Sequence, residues 1–78
     1  MDRQQRITAV VKRVAGNDSD PAPDEALFET GFLDSFGLPD LVADLEKEFG
    51  VKIPDSDLRP ANFSSVEKIE AYLEGKGA

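Results

Sequence analysis

The sequence contains no cysteine, no histidine and no tryptophan among its 78 residues. Without cysteine the chain can form no disulfide and no thiolate ligand, and without histidine it lacks the commonest metal ligand and the commonest general base of enzymes. These absences exclude a self-contained Ser-His-Asp catalytic centre. We therefore expect a protein with no catalytic residues of its own and no metal site.

Long hydrophobic runs and clusters of basic residues are also missing. No apolar run approaches the roughly 20 residues that span a membrane, and the first residues lack the charged and then apolar layout of a secretory signal. The 16 acidic and 9 basic residues give a net charge of −7. Since phosphate backbones are bound by lysine and arginine clusters, this charge disfavours nucleic acid and favours basic proteins as partners. We expect a cytoplasmic protein with no membrane insertion.

The sequence does show helical periodicity. Hydrophobic residues make up 40% of the chain, which suffices for one modest core. We expect residues 1–78 to form a single monomeric domain. The first helix is predicted over residues 2–15, because apolar residues recur there at helical spacing, and Gly16 with Asn17 should end it. These apolar residues are Ile7, Val10, Val11 and Val14.

A second helix is predicted to begin between residues 34 and 37 and to end at Phe49, just before Gly50. Its apolar stripe consists of Leu38, Leu41, Val42, Leu45 and Phe49. Pro39 is tolerated in the first turn, where its missing N–H has no intrahelical partner in any case. The long connection over residues 16–34 should be attached to the core by its apolar residues Leu27, Phe28, Phe32 and Leu33.

The remaining sequence predicts an extended connector over residues 51–54, a short helical turn near residues 57–60 and a last helix. Ser64 and Glu67 have the spacing of a capping box at the start of that helix. The residues expected to be buried in this part are Ile53, Phe63, Val66, Ile69, Tyr72 and Leu73. The result is an all-α fold with three main helices and one short one.

The stretch LFETGFLDSF, residues 27–36, leads into the second helix. Gly31 permits a tight bend, hydrophobic residues anchor the loop, and Ser35 is placed at the helix N-terminus. An anion attached there would lie near unpaired backbone N–H groups and the positive end of the helix dipole, which is worth about 0.3–1 kcal/mol. The position suits a phosphate ester.

Together with the following LVADLEKEFGVKIP and the closing DSDLRPANFSSVEKIEAYL, this stretch resembles the stand-alone acyl and peptidyl carrier proteins over essentially the whole chain. The resemblance implies a small four-helix bundle with a long first loop and a short third helix. It also implies that Ser35 carries 4′-phosphopantetheine, installed from coenzyme A by a phosphopantetheinyl transferase. An acyl- or aminoacyl-activating ligase would load the arm with a thioester, and a downstream acyltransferase or synthase would accept the group. Such a carrier is not an enzyme.

The residues around Ser35 narrow the resemblance. Asp34 matches the acid before the family's serine, and Phe36 takes the hydrophobic place after it. Carriers of primary fatty acid synthesis usually have Gly-Ala-Asp-Ser-Leu-Asp, from which this chain departs at Phe36 and Pro39. The Leu-Asp-Ser step is more similar to D-alanyl carriers and other aminoacyl or specialised acyl carriers. The pathway, whether fatty acid, polyketide or nonribosomal peptide biosynthesis, stays open.

Acidic residues of the second helix are the expected contacts with partner enzymes. The family uses acids at such places to meet basic patches. The resemblance thus implies recognition roles for Asp34, Phe36, Leu38, Asp40, Asp44 and Glu46, spread from the start of the helix through its third turn. Lys47 stands where many relatives carry another acid.

Two alternative functions were considered besides that of a carrier, namely calcium binding and protein docking. Four acids have the spacing of positions 1, 3, 7 and 12 of an EF-hand calcium loop, namely Asp18, Asp20, Asp24 and Glu29. Ala22 and Pro23 stand where that loop needs an oxygen ligand and a glycine, so we reject calcium binding. The second reading is an acidic adaptor that docks onto a basic protein without covalent modification, with Ser35 as a plain helix cap.

Overall fold

A computed structural model describes residues 2–78 and contains three α-helices. Helix α1 covers Arg3–Ala15, α2 covers Leu38–Phe49 and α3 covers Val66–Gly75. Three short 3₁₀ turns lie between them, at Ser35–Gly37, Asp55–Asp57 and Pro60–Asn62, and no strand occurs within the described residues. The predicted all-α fold with a long first loop is confirmed.

Local capping interactions set the limits of the first two helices. The Asp2 carboxylate accepts the Gln5 N–H at 2.8 Å and the Gln5 side chain accepts the Asp2 N–H at 3.1 Å, a capping box that the sequence analysis missed. Helices α1 and α2 end at Gly16 and Gly50, whose φ values of 64° and 65° lie in the left-handed region that favours glycine. Both predicted glycine stops are confirmed.

The core lies where α1 packs against both α2 and α3. Burying an aliphatic or aromatic side chain contributes about 1.5–3 kcal/mol relative to leaving it exposed. The buried hydrophobic residues are Ile7, Val10, Val11, Leu27, Leu33, Leu38, Leu41, Val42, Leu45, Ile53, Phe63, Val66, Ile69 and Leu73. Five predicted core residues are only partly buried at its edge, namely Val14, Phe28, Phe32, Phe49 and Tyr72.

The long first loop is attached to the start of α3 by its backbone as well as by its side chains. The Leu27 N–H donates to the Ser64 carbonyl at 2.7 Å, and the Glu67 N–H donates to the Pro23 carbonyl at 2.9 Å. Leu27 and Leu33 lie in the core, as the sequence predicted. The loop that leads to Ser35 is therefore held at two places before it reaches α2.

The predicted single helical turn near residues 57–60 is replaced by two separate 3₁₀ turns. Leu58 and Arg59 lie between the turns and are not helical. Arg59 has an extended conformation, with φ −119° and ψ 134°, because the ring of Pro60 disfavours helical geometry in the residue before it. This proline divides the short third helix that the family resemblance implied.

The predicted capping box of α3 is wrong by one residue. The Ser65 side chain caps the helix by accepting the Lys68 N–H at 3.1 Å, and Lys68 cannot complete a box as Glu or Gln would. The paired backbone bonds from the first loop, to Ser64 and from Glu67, determine this register. The sequence pattern alone did not distinguish Ser64 from Ser65.

Candidate functional site

The approach to Ser35 is a loop that bends at Gly31 and then enters the core. Gly31 has a φ of 81°, a conformation that side-chain-bearing residues rarely adopt. The Leu33 N–H donates to the Leu27 carbonyl at 3.0 Å, and the Leu33 side chain is buried. The bend at Gly31 and the anchoring of the loop by Leu33 are both present, as the sequence predicted. Leu33 lies two residues before Ser35.

A 3₁₀ turn, Ser35–Gly37, joins this loop to α2. Asp34 caps the turn, since its Oδ1 accepts the Gly37 N–H at 3.0 Å. The Leu38 N–H donates to the Ser35 carbonyl, so the turn continues directly into α2. The helical start near Ser35 is confirmed, with the correction that Asp34 and not Ser35 provides the capping side chain.

The Ser35 hydroxyl is free to react. Ser35 is exposed, and its hydroxyl has no hydrogen-bond partner among residues 2–78. The backbone N–H groups of Ser35 and Phe36 open the turn and likewise have no acceptor in the described chain. An oxygen-rich group attached to Ser35 fits this arrangement, because donors are available and no internal contact has to break.

Three of the predicted recognition residues, Asp34, Phe36 and Asp40, lie on the surface beside Ser35, and Leu38 does not. Phe36 is 90% exposed, and Asp40 is exposed one turn further along. Leu38 is only 7% exposed and belongs to the core. Its predicted contact with partners is corrected, since a buried side chain offers them no surface.

The two remaining predicted acids of α2 have partners inside the protein. Asp44 Oδ2 lies 3.3 Å from Nε of Arg13 on α1. Glu46 Oε2 accepts the Ile53 N–H at 2.7 Å, which ties the connector after α2 back onto the helix. Glu46 also lies on a different side of the helix from Asp40, because six residues correspond to about 600° of rotation. Asp44 and Glu46 are therefore less available to a partner than Asp34 and Asp40, and the role of these acids in recognition stays a prediction.

A polar cluster on the 3₁₀ segment was not anticipated from the sequence. The Tyr72 hydroxyl donates to Asp57 Oδ2 at 2.6 Å, and Lys76 Nζ lies 3.5 Å from the same oxygen. The bond from Tyr72, assisted by Lys76, lowers the pKa of the Asp57 carboxyl. Burial, together with the bond to Asp57, raises the pKa of Tyr72 to about 12. The cluster fastens the 3₁₀ segment to α3.

The four acids of the rejected calcium loop do not form a site. Asp20 lies 2.7 Å from Lys12 Nζ, and residues 2–78 contain no group of three or more acidic side chains arranged to hold a metal ion. Helices that are long and apolar enough to cross a membrane are also absent from this part of the chain.

The fold and the site define a small helical protein with an exposed serine, Ser35, on a capped turn at the start of a helix. A family model for the phosphopantetheine attachment site matches residues 5–73, which is most of the chain. The chain therefore belongs to the phosphopantetheine-binding carrier proteins. Its prosthetic group is 4′-phosphopantetheine, and the resemblance noted from the sequence is confirmed.

Two curated relatives match along nearly their whole length. The D-alanyl carrier protein of Leuconostoc mesenteroides subsp. mesenteroides is 30% identical over 74 residues, which covers 95% of this chain and 95% of that protein. The D-alanyl carrier protein of Streptococcus pyogenes serotype M5 is 32% identical over 74 residues, which covers 95% of this chain and 94% of that protein. The similarity thus spans all three helices and the loop that carries Ser35.

Proposed function

We propose that Ser35 carries the 4′-phosphopantetheine arm and that the protein holds aminoacyl groups on it, with D-alanine as the first candidate. The observation that carries the proposal is the exposed Ser35 hydroxyl, free of internal bonds, on a turn capped by Asp34. The names of the curated relatives and the Leu33-Asp34-Ser35 step support the cargo. When attached, the arm supplies a terminal thiol that holds the cargo as a thioester.

We propose that the chain itself catalyses no step. Attachment forms a bond between Ser35 Oγ and the phosphorus of the arm, breaks the bond from that phosphorus to the nucleotide part of coenzyme A, and releases the serine proton. A phosphopantetheinyl transferase has to supply the base for this step, because the described residues offer none at Ser35. An aminoacyl-activating ligase then loads the thiol, and a downstream acyltransferase or synthase accepts the cargo. The proposal includes a monomeric carrier in the cytoplasm, where coenzyme A is available.

We also propose that the surface around Ser35 is where these enzymes bind. Asp34, Phe36 and Asp40 are exposed there and can meet a partner without rearrangement of the fold. Leu38 contributes indirectly, because its buried side chain packs in the core and holds the turn in place. Exposed charges such as Asp40 mainly affect encounter rate and orientation, and an exposed aromatic side chain adds an apolar contact.

Intact-mass measurement with coenzyme A and a broad-specificity phosphopantetheinyl transferase tests the attachment site. The wild-type protein should gain one phosphopantetheine, and Ser35→Ala should gain none while its stability changes by no more than about 0.5 kcal/mol. Ser56→Ala is the matched control, because Ser56 is also exposed in a 3₁₀ turn. Modification of Ser35→Ala, or an unmodified wild-type protein as expected for an acidic adaptor, would refute the assignment.

The cargo is tested on the modified protein with an aminoacyl-activating ligase, ATP and single amino acids. We expect D-alanine to give a hydroxylamine-sensitive mass increase, the chemical behaviour of a thioester. L-alanine and a short fatty acid with its own ligase serve as comparisons. A protein that accepts only the fatty acid would contradict the aminoacyl proposal and leave the carrier assignment intact.

A further inference from the structure

A small depression lies beside Ser35, between the end of α1 and the turn that leads into α2. Its volume is about 200 Å³, and it is lined by residues 14–15, residues 31–34 and Gly37. Asp34 directly precedes Ser35, and Gly37 follows it by two residues. Because neighbouring Cα atoms are about 3.8 Å apart, any group attached to Ser35 starts close to this depression.

The space between Asp34 and Val14 is open because position 37 carries no side chain. A Cβ atom at Gly37 would lie 3.7 Å from Oδ1 of Asp34 and 3.8 Å from Cγ1 of Val14, which are ordinary van der Waals distances. The Gly37 backbone, with φ −81° and ψ −7°, lies in the right-handed region that alanine also adopts. Neither crowding nor backbone strain therefore requires glycine here, and an alanine would partly fill the depression.

The walls of the depression combine apolar surface with a hydrogen-bond acceptor. Val14, Ala15 and Phe32 are hydrophobic residues that are only partly buried at the edge of the core. Asp34 is exposed, and its carboxylate uses Oδ1 to accept the Gly37 N–H at 3.0 Å. Since an ionised carboxylate accepts several hydrogen bonds, Asp34 can also accept a donor from a ligand. A fitting ligand has apolar groups and N–H or O–H donors, and it has no negative charge at this point.

We propose that this depression binds the part of the 4′-phosphopantetheine arm that directly follows the phosphate. The inference rests on the proposed function of Ser35. This part of the arm is neutral, and it carries two methyl groups, a hydroxyl and an amide N–H, which match the apolar walls and the Asp34 carboxylate. The phosphate, which Asp34 repels, can instead accept the free N–H groups of Ser35 and Phe36.

The size of the depression and the covalent link both favour a partial and reversible contact. Sites that enclose a whole drug-sized ligand measure roughly 300–1,000 Å³, so about 200 Å³ holds only part of the arm, and the terminal thiol stays outside. A short flexible link gives an effective concentration in the millimolar range. A contact with a dissociation constant of about 1 mM is therefore occupied about half of the time, and a partner enzyme can still draw the arm away.

NMR spectroscopy of the isotope-labelled protein, before and after modification by a phosphopantetheinyl transferase, tests the inference. We expect nuclear Overhauser contacts between the methyl groups of the arm and the side chain of Val14, together with changes in the amide chemical shifts of Val14 and Ala15. Both residues belong to α1, so covalent attachment at Ser35 does not by itself place the arm next to them. Contacts to Phe28 and Ala61 instead, which line a separate depression of about 420 Å³, would overturn the inference, as would an arm without any contact to the protein.

Gly37→Ala is the test variant, because its methyl group occupies the floor of the depression. We expect the contacts of the arm with Val14 to be lost, while the Tm stays the same or rises, since alanine is favoured over glycine in helical geometry. Gly75→Ala is the matched control and should keep the contacts. Gly75 has open space around it, and its neighbour Glu74 pairs with Arg3, at the opposite end of α1 from Val14.

Intact mass separates a failure of the inference from a failure of the proposed function. A wild-type protein that gains one phosphopantetheine on Ser35 but shows no contact with Val14 refutes only the inference. A wild-type protein that gains none refutes the proposed attachment, and the inference fails with it. Unchanged contacts in Gly37→Ala, or equal losses in Gly37→Ala and Gly75→Ala, would also overturn the inference. If the transferase does not modify Gly37→Ala, the presence or absence of the wild-type contacts decides.

Discussion

Replacing Glu46 with alanine should destabilise the protein, although the residue belongs to a helix rich in acids. Its carboxylate accepts the Ile53 N–H at 2.7 Å, and Ile53 is 6% exposed, so the donor lies at the edge of the core. A hydrogen bond to a charged group is worth about 1.5–3 kcal/mol. Because Glu46 is half-buried and water can partly replace it, we expect a loss of about 1–2 kcal/mol. For a domain of this size that corresponds to a Tm lower by roughly 4–16 °C.

Thermal and urea unfolding, followed by circular dichroism, measure this loss. Glu46→Gln keeps an acceptor oxygen and should lose less than half as much. Lys52→Ala is the control, since Lys52 is exposed next to Ile53 without a hydrogen bond, and it should change stability by no more than about 0.5 kcal/mol. If Glu46→Ala has the same Tm as Lys52→Ala, the hydrogen bond from Ile53 to Glu46 does not stabilise the protein. A measured loss would also mean that charge reversal at Glu46 is no clean test of partner binding, whereas Asp40→Lys is.

The remaining predictions concern contacts between elements. Tyr72→Phe removes the bond to Asp57 and should lower the Tm by several degrees. Because folding lowers the pKa of Asp57, its carboxylate contributes fully to stability above about pH 3.8, the ordinary pKa. This stability is lost as the pH falls through the lowered pKa. Because folding raises the pKa of Tyr72 from 10.0 to about 12, the Tyr72 hydroxyl contributes fully to stability below pH 10.0. This stability is lost as the pH rises towards 12. Tyr72→Phe should flatten both limbs of a Tm against pH profile, and an unchanged profile would contradict the assignment. Arg6 donates to Glu48 at 3.0 Å and to the Glu48 carbonyl at 2.6 Å. Arg6→Ala should therefore cost about 1–2 kcal/mol in urea unfolding, Arg6→Lys should recover less than half because it lacks the planar fork, and full recovery would show that charge alone matters.

The sequence by itself determined the features that depend on neighbouring residues. The apolar spacing located all three main helices, because an amphipathic helix is encoded within a few turns of chain. Gly16 and Gly50 marked the helix ends, because the left-handed conformation there favours glycine. The proposal that Ser35 is the attachment residue also came from local features, namely its Asp-Ser step and its place at a helix start. These are the parts of the fold and the site that needed no knowledge of distant contacts.

The tertiary structure decided which of the predicted side chains are available to a partner. Glu46 and Asp40 look equivalent in the sequence, but Glu46 is bonded to the Ile53 N–H and Asp40 is exposed. Ser65 rather than Ser64 caps α3, because the backbone of the first loop pairs with that segment. Each of these outcomes depends on residues that are distant along the chain or on other elements. Local periodicity contains no information about such pairs, so they emerged only when the elements were packed together.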